Sequence, residues 1–192
     1  MTRAILAGLA LVFRTSIAVA QLGELQLGVI GGYGEPESHG AGGGFTLAVV
    51  PGRVSYLGLR YFYSTGGTTS IPGHVPTQDV RTRSQLIAAD LGLQVPVGSF
   101  ELVIGSSFGA TAFRQEQNPQ VVTAWEFTVA PTATLFIRAG RLLLAPEFQW
   151  IFAGSPGFND PSNPEFKVKV AHSGAQLNLR IVLPFEIDRI RQ

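Results

Sequence analysis

Glu101, Glu126 and Glu147 are the carboxylates whose spacing could serve acid–base chemistry, since a pair of them would supply a proton donor and an acceptor. His172 and Ser173 are the residue types of a nucleophile and its base. Two charges of each sign, Arg60 and Arg180 with Asp90 and the same Glu147, could form a buried ionic cluster. His39 and His74 lie far apart and lack metal-ligand spacing, and Asp160 with Glu165 is too sparse for a calcium site. The run Gly42-Gly43-Gly44 lacks the lysine and the following helix of a phosphate loop. What these groups can do depends on the elements that carry them.

Those elements are strands. Eight stretches place an apolar residue at every second position: 24–33, 41–51, 54–64, 82–96, 99–113, 121–138, 141–153 and 168–186. In the fourth, Ile87, Ala89, Leu91, Leu93 and Val95 share one face, and Asp90, Gly92 and Gln94 share the other. In the last, Leu177, Leu179, Ile181, Leu183 and Phe185 oppose His172, Gly174, Gln176, Asn178 and Arg180. Successive strand side chains point to opposite faces, so each strand has a greasy face and a mixed one. The same rule separates adjacent His172 and Ser173, and Gly174 occupies the next position on the histidine's face, so no His–Ser dyad forms there.

The connections alternate in length. Pro51-Gly52-Arg53, Val97-Gly98-Ser99 and Ala139-Gly140 are tight turns, whereas 34–40, 65–80, 114–120 and 154–167 are longer polar segments. Residues 1–20 carry the marks of a cleavable signal peptide: Arg3, an apolar core from Ala4 to Phe13, and Ala18-Val19-Ala20 before Gln21. Charged residues make up only 14% and hydrophobic ones 45%, yet no apolar run is long enough for a membrane helix. A barrel that spreads its apolar residues singly along strands reconciles the two. A net charge of +1 implies no strong attraction to nucleic acid. The absence of cysteine excludes disulfides and thiolate metal sites.

The faces indicate which side meets lipid. The mixed faces hold Glu24, Gln26, Gly28, Gly58, Arg60, Asp90, Gly92, Glu101, Gly105, Glu126, Glu147, Gly174 and Arg180. Small and ionisable residues together suit a crowded interior, because glycine weakens a solvent-facing strand and packs nothing there. On the greasy faces, Tyr33, Tyr61, Tyr63, Trp125, Trp150 and Phe152 lie toward the long loops, and Phe100 and Phe185 toward the short turns. That is the arrangement of two interfacial girdles. The expectation is an all-β, eight-stranded antiparallel up-and-down transmembrane β-barrel over 21–187, with a periplasmic tail at 188–192. Arg60, Asp90, Glu147 and Arg180 count to similar depth and are expected to pair inside it. Gln94, Gln149, Gln176, Asn178 and Tyr56 would take the remaining hydrogen bonds.

In these features the chain resembles the small outer-membrane barrels of the OmpA/OmpX type. His172, Gly174, Leu177 and Leu179 are similar to that family's C-terminal assembly signal, although Phe185 is followed by a charged tail rather than ending the chain. The resemblance implies the outer membrane of a Gram-negative cell envelope, with membrane lipid and the barrel-assembly machinery as partners. The chain is expected to be monomeric, with no cofactor, no metal and no catalysis, and with any interaction surface on the loops. Two other readings are a lipid-modifying outer-membrane enzyme, and a secreted lipocalin-like barrel with its greasy rows turned inward around an apolar ligand.

Overall fold

The structure is a computed structural model that describes residues 23–35, 39–51, 54–70, 79–117, 120–154, 157–160, 163–169 and 173–187. Eight long strands form the wall: β1 (Gly23–Gly34), β2 (Ala41–Pro51), β3 (Ser55–Ser64), β5 (Asp79–Val97), β6 (Phe100–Gln117), β7 (Gln120–Ala139), β8 (Leu142–Ala153) and β11 (Gly174–Ile187). The short β4 (Thr68–Ser70) extends the sheet beside β5. A separate hairpin joins β9 (Gly157–Asp160) to β10 (Asn163–Lys169). Every pairing is antiparallel, and the β3–β5 and β1–β11 ladders close the sheet on itself. Among the described residues no helix is long and apolar enough to cross a membrane.

Register sets the shape. The cross-strand register partners of Ile137 run through Leu144, Ile181, Val29, Phe45, Tyr61, Ile87 and Ala110 and return to β7 at Phe127, ten residues from the start. With eight strands, a stagger of that size implies a strand tilt of about 40° and a backbone radius of about 8 Å. Each residue on this spiral is apolar or tyrosine, and none is buried. Between its two ends the spiral climbs roughly 25 Å, the height of an outer-membrane apolar band.

The tight turns follow from glycine. Gly98 and Gly140 have φ of 62° and 66°, a region that costs a β-branched or bulky residue strain. They close two-residue loops between the pairs Val97–Phe100 and Ala139–Leu142. Of the third turn, Gly52 and Arg53 lie outside the described residues.

The structure corrects three of the expected boundaries. Residues 114–120 are largely not a loop: β6 and β7 stay paired to Gln117 and Gln120, so the wall rises above its apolar band. There the period of two continues with polar residues on the outer face, which hydrophobicity alone reads as a loop. The last strand begins at Gly174 rather than 168, because Val168 and Lys169 pair with Phe158 and Gly157 instead. The 65–80 segment contributes β4 to the sheet.

The faces fall as their chemistry requires of a membrane barrel. Large apolar side chains such as Phe45, Leu59, Ile104, Phe127, Leu177 and Ile181 are exposed on the outer wall. A soluble monomer rarely exposes contiguous apolar patches beyond a few hundred Å². The greasy rows therefore do not line a lipocalin-like cavity. Inside, two apolar layers bracket a polar one. Val50, Tyr56, Val103, Phe136, Leu143 and Val182 cluster toward the turn end, and Ile30, Phe62, Leu86 and Ala88 lie toward the loop end.

Candidate functional site

The ionic ring of the polar layer between these clusters comes from four wall strands. β3 brings Arg60, β5 Asp90, β8 Glu147 and β11 Arg180, all buried. The Arg60 guanidinium spans both acids. Its Nε donates to Asp90 Oδ1 at 2.9 Å, and its Nη2 donates to Asp90 Oδ2 at 2.8 Å. On the other side, Nη1 and Nη2 donate to Glu147 Oε1 and Oε2 at 2.9 and 3.1 Å. Arg180 completes the ring through Nη2, which bonds Glu147 Oε2 and reaches Asp90 Oδ2 at 3.5 Å. Two positive and two negative groups thus neutralise one another where either charge alone would be prohibitive.

Neutral groups take the remaining valences. Ser107 donates to Asp90 at 2.7 Å, and Thr134 and Asn178 donate to Glu147 at 3.0 and 2.9 Å. Gln149 Oε1 accepts from Arg60 at 2.7 Å, and its Nε2 donates to Gln176, which donates in turn to Asn178. The Tyr56 hydroxyl accepts from Arg180 Nη1 at 2.8 Å, and its ring lies 6.0 Å from Phe136 in the lower apolar layer. Arg180 Nε is the one guanidinium nitrogen of the pair with no hydrogen-bond partner among the described residues. Glycine makes the room: a Cβ on Gly32 would overlap the Asn178 side chain directly opposite, and one on Gly58 would press on Asp90 and Tyr56 at 3.3 Å.

Gln94 does not join this network. It lies four residues closer to the turn than Asp90, roughly 13 Å along the strand, and donates to Glu101 at 2.7 Å. Ser107 and Thr134 occupy the place expected of it. They were legible as inward positions of β6 and β7, but short hydroxyl side chains gave no charge to count from.

The groups considered for catalysis stay apart. Glu147 is committed to the arginines, and Glu101 pairs with Gln94 near the turns. Glu126 sits toward the loops, where its carboxylate covers Gly154. The Ser173 hydroxyl donates to the Ala153 carbonyl and accepts from the Ala153 N–H, both at 3.3 Å. His172 and His74 lie outside the described residues, as do the segments 1–20 and 188–192. Of the residues that resemble an assembly signal, Gly174 points inward and is buried, and Leu177 and Leu179 point outward.

No family profile matches the sequence, and no relative is detectable by sequence among characterised proteins. Solved structures do match. A major outer membrane protein from Thermus thermophilus superposes with a TM-score of 0.63 at 11% identity, over 85% of this chain and 99% of that one. The N-terminal β-barrel domain of Pseudomonas aeruginosa OprF gives 0.59 at 7% identity, over 84% and 97%. Neisserial surface protein A gives 0.54 at 8% identity, over 85% and 97%. At such identities the likeness is one of fold, and the chain has the closed eight-stranded antiparallel barrel fold of the small outer-membrane proteins.

Proposed function

We propose that this chain is an outer-membrane barrel with a structural or surface-interaction role and no catalysis. The observation that carries this reading is the unbroken apolar spiral around the outer wall, from Ile137 to Phe127. Strand closure satisfies the backbone in a medium that offers it no hydrogen bonds. Trp150 and Phe152, with rings 6.5 Å apart on β8, and Tyr33 on β1 lie toward the loop edge of this belt. Phe100 and Phe185 lie toward the turn edge. Rings of this kind favour headgroup depth.

In this reading residues 1–20 direct export and are removed, and the turns face the periplasm. The chain acts as a monomer whose partners are membrane lipid and, during biogenesis, the assembly machinery. That machinery reads the last strand through His172, Gly174, Leu177 and Leu179. The Arg60–Asp90–Glu147–Arg180 ring, bracketed by two apolar layers, acts as a plug, because an eight-stranded barrel leaves little interior beyond its own side chains. Interaction with the outside then falls to the loops and the upper wall.

The test is heat-modifiability. Residues 21–192 are refolded in detergent and run on an SDS gel with and without boiling. A mobility shift on boiling, with β-rich circular dichroism, is expected. Folding as a soluble monomer without detergent would contradict the reading.

A further inference from the structure

Above the apolar spiral, the outer faces of β5, β6 and β7 change chemistry row by row. The row Tyr61, Ile87, Ala110, Phe127 is apolar. The next, Tyr63, Gln85, Ala112, Trp125, is amphipathic. The one above it is Arg83, Arg114, Thr123. Arg83 and Arg114 are direct cross-strand partners, so two like charges stand opposite each other, an arrangement that destabilises a ladder. One carboxylate relieves it in part: Arg114 Nε donates to Glu116 at 2.9 Å, with the arginine side chain still 56% exposed. Arg83 makes no ion pair among the described residues. The two arginines, with Tyr63, Gln85, Thr123 and Trp125, line a groove of about 350 Å³ on the outer wall.

We propose that this groove binds the phosphate of a lipid headgroup in the loop-side leaflet. The proposal rests on the membrane reading above, which puts this row just beyond the hydrocarbon. A phosphate between the guanidinium groups would replace their repulsion with charge-assisted, forked hydrogen bonds, the geometry that suits arginine best. Trp125 and Tyr63 one row below would lie along the start of the acyl chains, so a lipid meets cation, ring and apolar wall in the order of its own parts. A phosphomonoester carries the greater charge and more free oxygens than a diester, and is the preferred headgroup.

The test uses Trp125 as reporter in the W150F background, with the chain inserted into phosphatidylcholine vesicles. A fraction of the lipid carries brominated acyl chains, which quench a nearby indole. Brominated phosphatidic acid is expected to quench Trp125 more than brominated phosphatidylcholine at the same fraction. The selectivity should be about fivefold or more per arginine. R83Q/R114Q should abolish the preference, and R83K/R114K should retain part of it. Equal quenching by the two lipids, or an unchanged preference in R83Q/R114Q, overturns the site. If inorganic phosphate at millimolar level abolishes the preference, the groove binds free phosphate and the lipid assignment falls. If the chain does not enter phosphatidylcholine vesicles at all, the membrane reading falls and this site with it. Insertion without selectivity removes the site alone.

Discussion

Arg60 and Glu147, 87 residues apart in sequence, meet inside the barrel through a two-pronged fork, Nη1 to Oε1 at 2.9 Å and Nη2 to Oε2 at 3.1 Å. β3 and β8 are not neighbours in the sheet, so this contact crosses the lumen and forms only when the barrel has closed. It ties the polar layer to the global fold rather than to any one hairpin.

Removing one member should therefore be costly. Glu147→Leu leaves two buried arginines facing a single acid and should destabilise the barrel by about 3–5 kcal/mol. Urea unfolding from vesicles, followed by the gel shift, measures this. A loss below about 1 kcal/mol would mean that water reaches the cluster and screens it.

Tyr56→Phe removes one hydroxyl and little else. Its bond to Arg180 is an interaction with a charged group, so the expected loss is about 1.5–3 kcal/mol. The same unfolding assay reads it, and a neutral result would show that Arg180 finds another acceptor.

Gly32→Val tests the packing of the layer. The added side chain must displace Asn178, which holds Glu147, so about 1–3 kcal/mol should be lost. A control at Gly31, where a Cβ meets only a carbonyl at 3.8 Å on the outer side, should change stability far less.

Arginine on the outer wall reports depth. Leu59→Arg, midway up the apolar belt, should cost about 2–4 kcal/mol, and Val97→Arg beside a turn about 0–1 kcal/mol. Refolding yield into vesicles and urea titration give both numbers. Equal and small costs would place the outer wall in water.

Much of the fold was legible because a period of two is the only pattern that keeps one face apolar on a strand, and the rows from Ile87 to Val95 and from Leu177 to Phe185 hold it without interruption. The charged ring was legible by counting residues from the turns, since Arg60, Asp90, Glu147 and Arg180 are all inward positions at one depth. Position alone misplaced Gln94, whose inward parity was right and whose height was not. Strand ends were the least legible part. Arg114 and Glu116 keep the strand period with polar residues facing out, so hydrophobicity could not separate wall from loop there. Val168 and Lys169 alternate like the last strand but pair locally, a choice that only the long-range register decides.

The membrane reading requires the outward face of the wall to meet lipid. The chain has no cysteine, so single spin labels can be placed along β11 without background. Labels at 177, 179 and 181 should be relaxed strongly by oxygen, which concentrates in lipid, and weakly by a water-soluble nickel chelate. Labels at 176, 178 and 180 should be shielded from both. An alternation of two with oxygen dominant on the odd positions is the predicted result. Nickel dominance at 177, 179 and 181 would put that face in water and contradict the membrane reading.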